Sequence, residues 1–345
     1  MTAPRRLVIH LRDDARPVYS IPDWAVDEIR EALPDGWEVV VPDAPADGRG
    51  DGGDDLPPAV LDAVRDAEVY LGYGVPAAVL HAAPGLKWAH TASAGVGGSL
   101  RDEIAHSDVV LTNAAGVYAE PMADTVLAMM LHFARGLDFA VRAQADRRWD
   151  KAPFDDAESP IRELNEATVG IVGLGGIGRA VAHRASALGM TVVASRRGGG
   201  DGPDGVEVFH GEDALDQLLP RADFLVVTVP LTAETEGLIG ARELAMLPEG
   251  AVVINVARGA VLDERALIDA LRSGRLRGAG LDVFAREPLP DDSPLWTLPN
   301  VLVTPHVSGA SHRFWRRQTE LIVQNIRRYA AGGPLRNTVD KKAGY

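Results

Sequence analysis

Short apolar runs alternate with amphipathic stretches along most of this chain. Leu7-Val8-Ile9-His10-Leu11, Trp37 to Val41, Val69-Tyr70-Leu71, Leu86 to His90 and Val109 to Thr112 each have the length and apolar content of a buried strand. Between them, Asp23 to Leu33 sets Trp24, Ile29 and Leu33 at helical spacing, with Asp23 as its N-cap, and Val60 to Ala67 is also helical in pattern. A second series begins at Thr168. Its predicted strands are 168–172, 191–194, 224–229, 252–256, 278–283 and 301–304. Strands alternating with helices predict parallel sheets covered by helices on both faces. The expected class is α/β.

The stretches around the two series carry their own signals. Glu120 to Arg135 is a long helical run with Met122, Val126, Met129, Met130 and Phe133, apolar enough for burial on more than one side. Residues 142–164 are polar but include Trp149 and Phe154, which predicts contact with a partner surface. The last helix, about Ser311 to Ala331, is amphipathic and is expected to return to the first domain. Between Pro42 and Pro58 the chain is rich in Asp, Gly and Pro and reads as a surface loop.

Composition narrows the function classes. The 345 residues suit two domains, and 46% apolar content supports a core in each. No apolar run approaches the roughly 18 residues of a membrane helix. The basic start Met1–Arg6 is followed only by Leu7-Val8-Ile9, too short for a secretory signal, so a cytoplasmic protein is expected. A net charge of −14 argues against nucleic acid or a lipid surface as a general partner. A small anionic substrate would then need a local cationic pocket. Without cysteine there are no disulfides, thiolate metal sites or cysteine nucleophiles, and no metal site is expected.

The stretch Val169 to Ala182 fits strand, turn and helix around Gly173-Leu174-Gly175-Gly176-Ile177-Gly178. Gly173 permits the tight turn, Gly175 lets backbone approach a pyrophosphate, and Gly178 lets the helix sit close to the strand. The first helical amides, at Gly176 and Ile177, would face the phosphates with a favourable dipole. The next strand runs into Ser195-Arg196-Arg197. No acid stands there for the ribose hydroxyls of NAD, while two arginines and a serine suit a 2′-phosphate. The expected cofactor is NADP(H), with NAD(H) as the alternative.

Three later stretches hold the remaining chemistry: Asn255 to Gly259, Asp282 to Pro288, and Thr304-Pro305-His306. They offer a cation for a carboxylate, a titratable base, and a carboxylate to tune it. Together with the glycine loop, Pro230 to Thr235, Val261 to Glu264 and Pro299 to Val301, they resemble the D-2-hydroxyacid dehydrogenases from about residue 85 to 335. The resemblance implies that Arg258 binds the substrate's carboxylate and polarises its 2-oxygen, as a permanently charged planar fork can. It implies that His306 is the acid in reduction and the base in oxidation, paired with Glu287, since a nearby carboxylate favours imidazolium. Related formate dehydrogenases carry glutamine where Glu287 stands. Asp282 resembles a residue near the nicotinamide, and Pro230, Thr235, Ala257, His306 and Gly309 are cofactor neighbours by position. Ala94 and Gly95, in Thr91 to Gly97, resemble a loop whose amides hold the substrate carboxylate. The family usually has Asp in place of Gly97, and often Glu in place of Asp124.

These readings predict a flavodoxin-like substrate domain, residues 1–116 plus 311–345, and a Rossmann cofactor domain, 117–310, with a cleft between them. The expected activity is NADP(H)-dependent reduction of a small 2-keto acid such as glyoxylate or hydroxypyruvate. A homodimer is expected through Glu120–Arg135 and the arm after it. The alternatives are oxidation of another small anion such as phosphite, and a dinucleotide-sensing binding protein like the family's corepressors.

Overall fold

The computed structural model describes residues 4–46, 56–157 and 159–344, so much of the loop between Pro42 and Pro58 lies outside the described residues. The chain divides into two compact units, Met1–Tyr118 with Ala310–Tyr345, and Ala119–Gly309.

The first unit holds five parallel strands: β1 (Arg5–His10), β2 (Trp37–Val40), β3 (Ala67–Gly72), β4 (Trp88–Thr91) and β5 (Val110–Thr112). Their order is β2-β1-β3-β4-β5, the flavodoxin-like order. Successive side chains point to opposite faces. Leu7, Ile9, Val69, Leu71 and Trp88 therefore pack with the helices Asp23–Ala32 and Phe314–Ala330. Val8, Tyr70, Ala89 and Leu111 face the opposite core, with Val60, Val64 and Val79 from the helices Pro58–Val64 and Ala77–Ala82. Asp23 is the first helical residue rather than the cap. Pro22 takes the cap position in extended backbone, and no side chain caps the helix.

The second unit holds seven parallel strands: β6 (Thr168–Val172), β7 (Thr191–Ser195), β8 (Val206–Phe209), β9 (Phe224–Val227), β10 (Ala251–Asn255), β11 (Leu276–Leu281) and β12 (Val301–Val303). The order β12-β11-β10-β9-β6-β7-β8 is the Rossmann order with one further strand. Val169, Ile171, Phe224, Val226, Val252 and Ile254 face the helices Ala119–Ala134 and Gly176–Ala187. Val172, Leu225, Val227, Val253 and Leu281 face the other core, beside Leu267 and Leu271 of the helix Glu264–Arg272. Cover on both faces explains why these strands read as continuous apolar runs. β8 and the helix Leu137–Ala145 are elements the apolar pattern did not predict. Among the described residues no helix is long and apolar enough to cross a membrane. No group of three or more His, Cys, Asp or Glu among them could hold a metal ion.

Candidate active site

In the second unit β6 lies between β9 and β7, so the chain reverses direction across the sheet at β6. Ligands of open α/β sheets bind outside the carboxyl ends of the strands at such a point. The glycine loop stands there. Gly173 has φ +100°, and a Cβ on it would come within 2.7 Å of Val229 Cγ1. A Cβ on Gly178 would overlap the Gly173 carbonyl, whereas the space over Gly175 is open. Thr228 Oγ1 donates to the Gly173 carbonyl (2.6 Å), fixing the turn. The helix beginning at Gly176 presents its first amides there, with Ile177 half-buried behind them. Free amides at a helix N-terminus beside open backbone are the arrangement that receives phosphate groups.

β7 ends on buried Ser195, followed by half-buried Arg196 and exposed Arg197. Arg197 is paired with Glu234, from the loop after β9. In that loop Thr235 Oγ1 donates to the Pro230 carbonyl (2.7 Å) and accepts from the Thr232 amide (2.8 Å).

Arg258, Glu287 and His306 are joined by contacts at the ends of β10, β11 and β12. Asn255, the last residue of β10, accepts from the Ala257 amide (3.0 Å) and donates to the Arg258 carbonyl (3.0 Å). Its side chain therefore shapes the turn that presents Arg258, while Ala257 is buried beneath. The Arg258 guanidinium donates to the Ala257 carbonyl (2.6 Å). A Cβ on Gly259 would overlap the Phe284 carbonyl, so the Arg258 turn lies directly on the segment leading to Glu287. Glu287 Oε1 accepts from the Phe284 amide (3.0 Å), and Oε2 is 2.7 Å from His306 Nδ1. Partial burial would lift the Glu287 carboxyl. Its bonds to His306 and the Phe284 amide, with the charges of His306 and Arg258, outweigh burial and hold it below the usual carboxylate range.

Asp282 organises the histidine. It is fully buried, and its carboxylate accepts from Thr304 Oγ1 (2.6 Å), the Val307 amide (2.9 Å) and the Ser308 amide (2.9 Å). Its carbonyl accepts from the His306 amide (2.9 Å). His306 itself has φ +55°, the left-handed region. The expectation for Asp282 was contact with the nicotinamide end of a cofactor; its partners here belong to the turn that holds His306, with half-buried Gly309 just beyond.

In the first unit the predicted substrate loop is pinned from behind. Asn113 Nδ2 donates to the Ala94 carbonyl (2.9 Å) and Tyr118 Oη to the Ala92 carbonyl (2.7 Å). Ala94 is half-buried and Gly95 exposed. Thr91 and Ser93 hydroxyls both donate to the Tyr73 carbonyl (2.7 and 3.1 Å), tying the loop after β3 to this one. Tyr73 carried no signal beyond its place at a strand end. Asn255 and Asp282 stood in recognised motifs; Asn255 acts within its own turn, whereas the partners of Asp282 lie 22 to 26 residues away.

Comparison with known proteins agrees with this geometry. The family "D-isomer specific 2-hydroxyacid dehydrogenase, NAD binding domain" matches residues 127–308. A glyoxylate/hydroxypyruvate reductase B of Pectobacterium atrosepticum is 39% identical over 282 residues, 81% of this chain and 87% of that protein. A D-isomer specific 2-hydroxyacid dehydrogenase of Xanthobacter autotrophicus, solved with NADPH and MES, is 37% identical with TM-score 0.81, covering 99% of this chain and 100% of that one. An NADPH-dependent glyoxylate/hydroxypyruvate reductase of Sinorhizobium meliloti, solved with NADP and sulfate, is 28% identical with TM-score 0.77, again covering 99% and 100%.

Proposed function

The chain belongs to the D-isomer specific 2-hydroxyacid dehydrogenase family, and on that premise we propose that it is an NADP(H)-dependent reductase of small 2-keto acids, glyoxylate and hydroxypyruvate foremost. As a family member it is an NAD(P)-dependent oxidoreductase acting on CH–OH groups. The observation that carries the finer reading is the His306–Glu287 pair at 2.7 Å, with the charge of Arg258 bearing on the same glutamate.

The reduced nicotinamide supplies a hydride when bound, and the chain supplies the rest. The glycine loop, Ser195, Arg196 and Arg197 bind the cofactor, with Pro230, Thr235, Ala257 and Gly309 at its edges. Arg258 binds the substrate carboxylate and draws electron density onto the 2-oxygen. A carboxylate only accepts hydrogen bonds, so His306 Nδ1 carries a proton toward Glu287. Nε2 is then the atom that delivers a proton to the 2-oxygen as the alcohol forms, and takes it back in oxidation. Asp282 holds His306 in place. For the first unit, we assign a carboxylate-binding role to the amides of Ala94 and Gly95. NADP(H) preference is supported by the arginine pair after β7 and by the missing acid there.

The test is a steady-state panel of glyoxylate, hydroxypyruvate and larger 2-keto acids with NADPH and NADH. Oxidation of NADPH by the smallest two substrates is expected. Absence of turnover with every 2-keto acid overturns the assignment, and a preference for NADH overturns the cofactor part alone.

A further inference from the structure

Arg197 lies just past the end of β7, and Glu234 lies in the loop after β9. β6 stands between those two strands. Strand ends two places apart in a sheet are about 10 Å from each other. The Arg197–Glu234 pair therefore links the segments that follow β7 and β9, the two strands flanking the one that feeds the glycine loop. Both side chains are solvent-accessible, 54% for Arg197 and 68% for Glu234, so neither is locked by the core.

We propose that Glu234 is a specificity-determining residue: it is the resident acid on Arg197 and competes there with the 2′-phosphate of NADP(H). This rests on the reading that Arg197 receives that phosphate. A 2′-phosphate must share or displace Glu234 and then sits beside a like charge. The neutral 2′-hydroxyl of NAD(H) meets no such opposition. Glu234 thus lowers affinity for the phosphorylated cofactor selectively and moderates a preference that the two arginines alone would make stronger. Exposure screens the pair, so the penalty is modest, on the order of threefold to tenfold in dissociation constant at low ionic strength. It should shrink as salt rises, because exposed charges are the ones screened.

The test compares wild type with Glu234→Gln and Arg197→Ala by direct binding. NADPH and NADH are followed by nucleotide fluorescence, and the fragments 2′,5′-ADP and 5′-AMP by calorimetry, at low and high salt. For Glu234→Gln, NADPH and 2′,5′-ADP should tighten by about threefold to tenfold, with NADH and 5′-AMP within about twofold of wild type. The gain should fall at high salt. Equal changes for phosphorylated and unphosphorylated ligands, or no change, overturn the proposal. If Arg197→Ala weakens NADPH selectively while Glu234→Gln does nothing, the role of Glu234 fails and the cofactor reading stands. If wild type shows no NADPH preference and Arg197→Ala is silent, both fail.

Discussion

His306 is one of three non-glycine residues with positive φ among the described residues, and the only one of them in the proposed site. Left-handed backbone costs a histidine roughly 1–3 kcal/mol, and such a cost persists only where surroundings over-determine the conformation. Here Asp282 does so through its carbonyl and both carboxylate oxygens, which engage the chain from Thr304 to Ser308. The turn aims Nδ1 at Glu287, which leaves Nε2 for the proposed proton transfer. We therefore expect His306→Asn to lower kcat by ~10²–10⁴-fold, the usual worth of a general acid, with little change in the NADPH dissociation constant. Glu287→Gln keeps the shape of the pair but removes its charge, and should retain part of that factor. Stopped-flow reduction of glyoxylate with parallel NADPH binding checks both; a His306→Asn enzyme with wild-type kcat would refute the assignment. Arg258, Glu287 and His306 stood out in the sequence because each stands in a short motif beside a strand end. The hydrogen bonds of Asp282 to the His306 turn did not. An acid at a strand end reads as a ligand contact, and only the pairing of β11 with β12 turns its oxygens toward residues 304–308.

At the scale of elements, apolar runs located eleven of the twelve strands, to within a few residues at each end. The missing one, β8, is a four-residue edge strand whose apolar run is broken by Glu207, next to a Gly- and Asp-rich stretch that reads as loop. The helix Leu137–Ala145 was hidden because its apolar residues do not all face a core; Leu137 and Val141 are exposed. A polar tie among three elements was equally unreadable. His90 on β4 is fully buried, 2.8 Å through Nδ1 from Thr112 Oγ1 on β5 and 2.7 Å through Nε2 from Gln318 Nε2 on the C-terminal helix. Thr112 Oγ1 also accepts from Trp88 Nε1 (2.8 Å). Burial pushes the His90 imidazole down to about 3. The unfolded chain binds this proton near the ordinary histidine value of about 6.5, and the native chain does not until far lower. The unfolded state thus holds more protons across that interval, and stability falls as pH drops from about 6.5 toward 3. Between about pH 6.5 and pH 5 the loss from His90 should be roughly 2 kcal/mol. Glu68, held at about 2 by hydrogen bonds from Arg5 that outweigh its partial burial, adds its loss only below the usual glutamate range. Urea midpoints for wild type and His90→Gln at about pH 7.5 and about pH 5 isolate the term, since Glu68 stays ionised at both. The variant should lose less stability on acidification, and parallel losses would show that His90 is not the group.

For the whole molecule, a net charge of −14 argued against some partners and the absence of cysteine ruled out thiol chemistry, but neither located anything. Association is where the surface becomes informative. Of the large apolar side chains exposed among the described residues, Leu131, Leu137, Val141, Trp149 and Phe154 fall within one short segment, and Trp149 is 93% exposed. Leu137 and Val141 are four apart on one helix and so share a face. Monomers rarely leave contiguous apolar surface beyond a few hundred Å² uncovered. We propose a second copy of this chain as the cover. A patch repeated on both partners can close an isologous dimer, and the acidic net charge opposes looser association. A specific dimer buries about 800 Å² on each partner, and aromatic side chains such as Trp149 carry a large share of that energy. Sedimentation at micromolar concentration should therefore give twice the chain mass of 36.7 kDa. Leu137→Asp with Val141→Asp would bury two charges from each partner in the interface and should give a monomer with unchanged far-ultraviolet circular dichroism. A wild-type protein that sediments as a monomer would mean the segment is simply exposed. A double variant that remains dimeric would place the interface elsewhere on the chain.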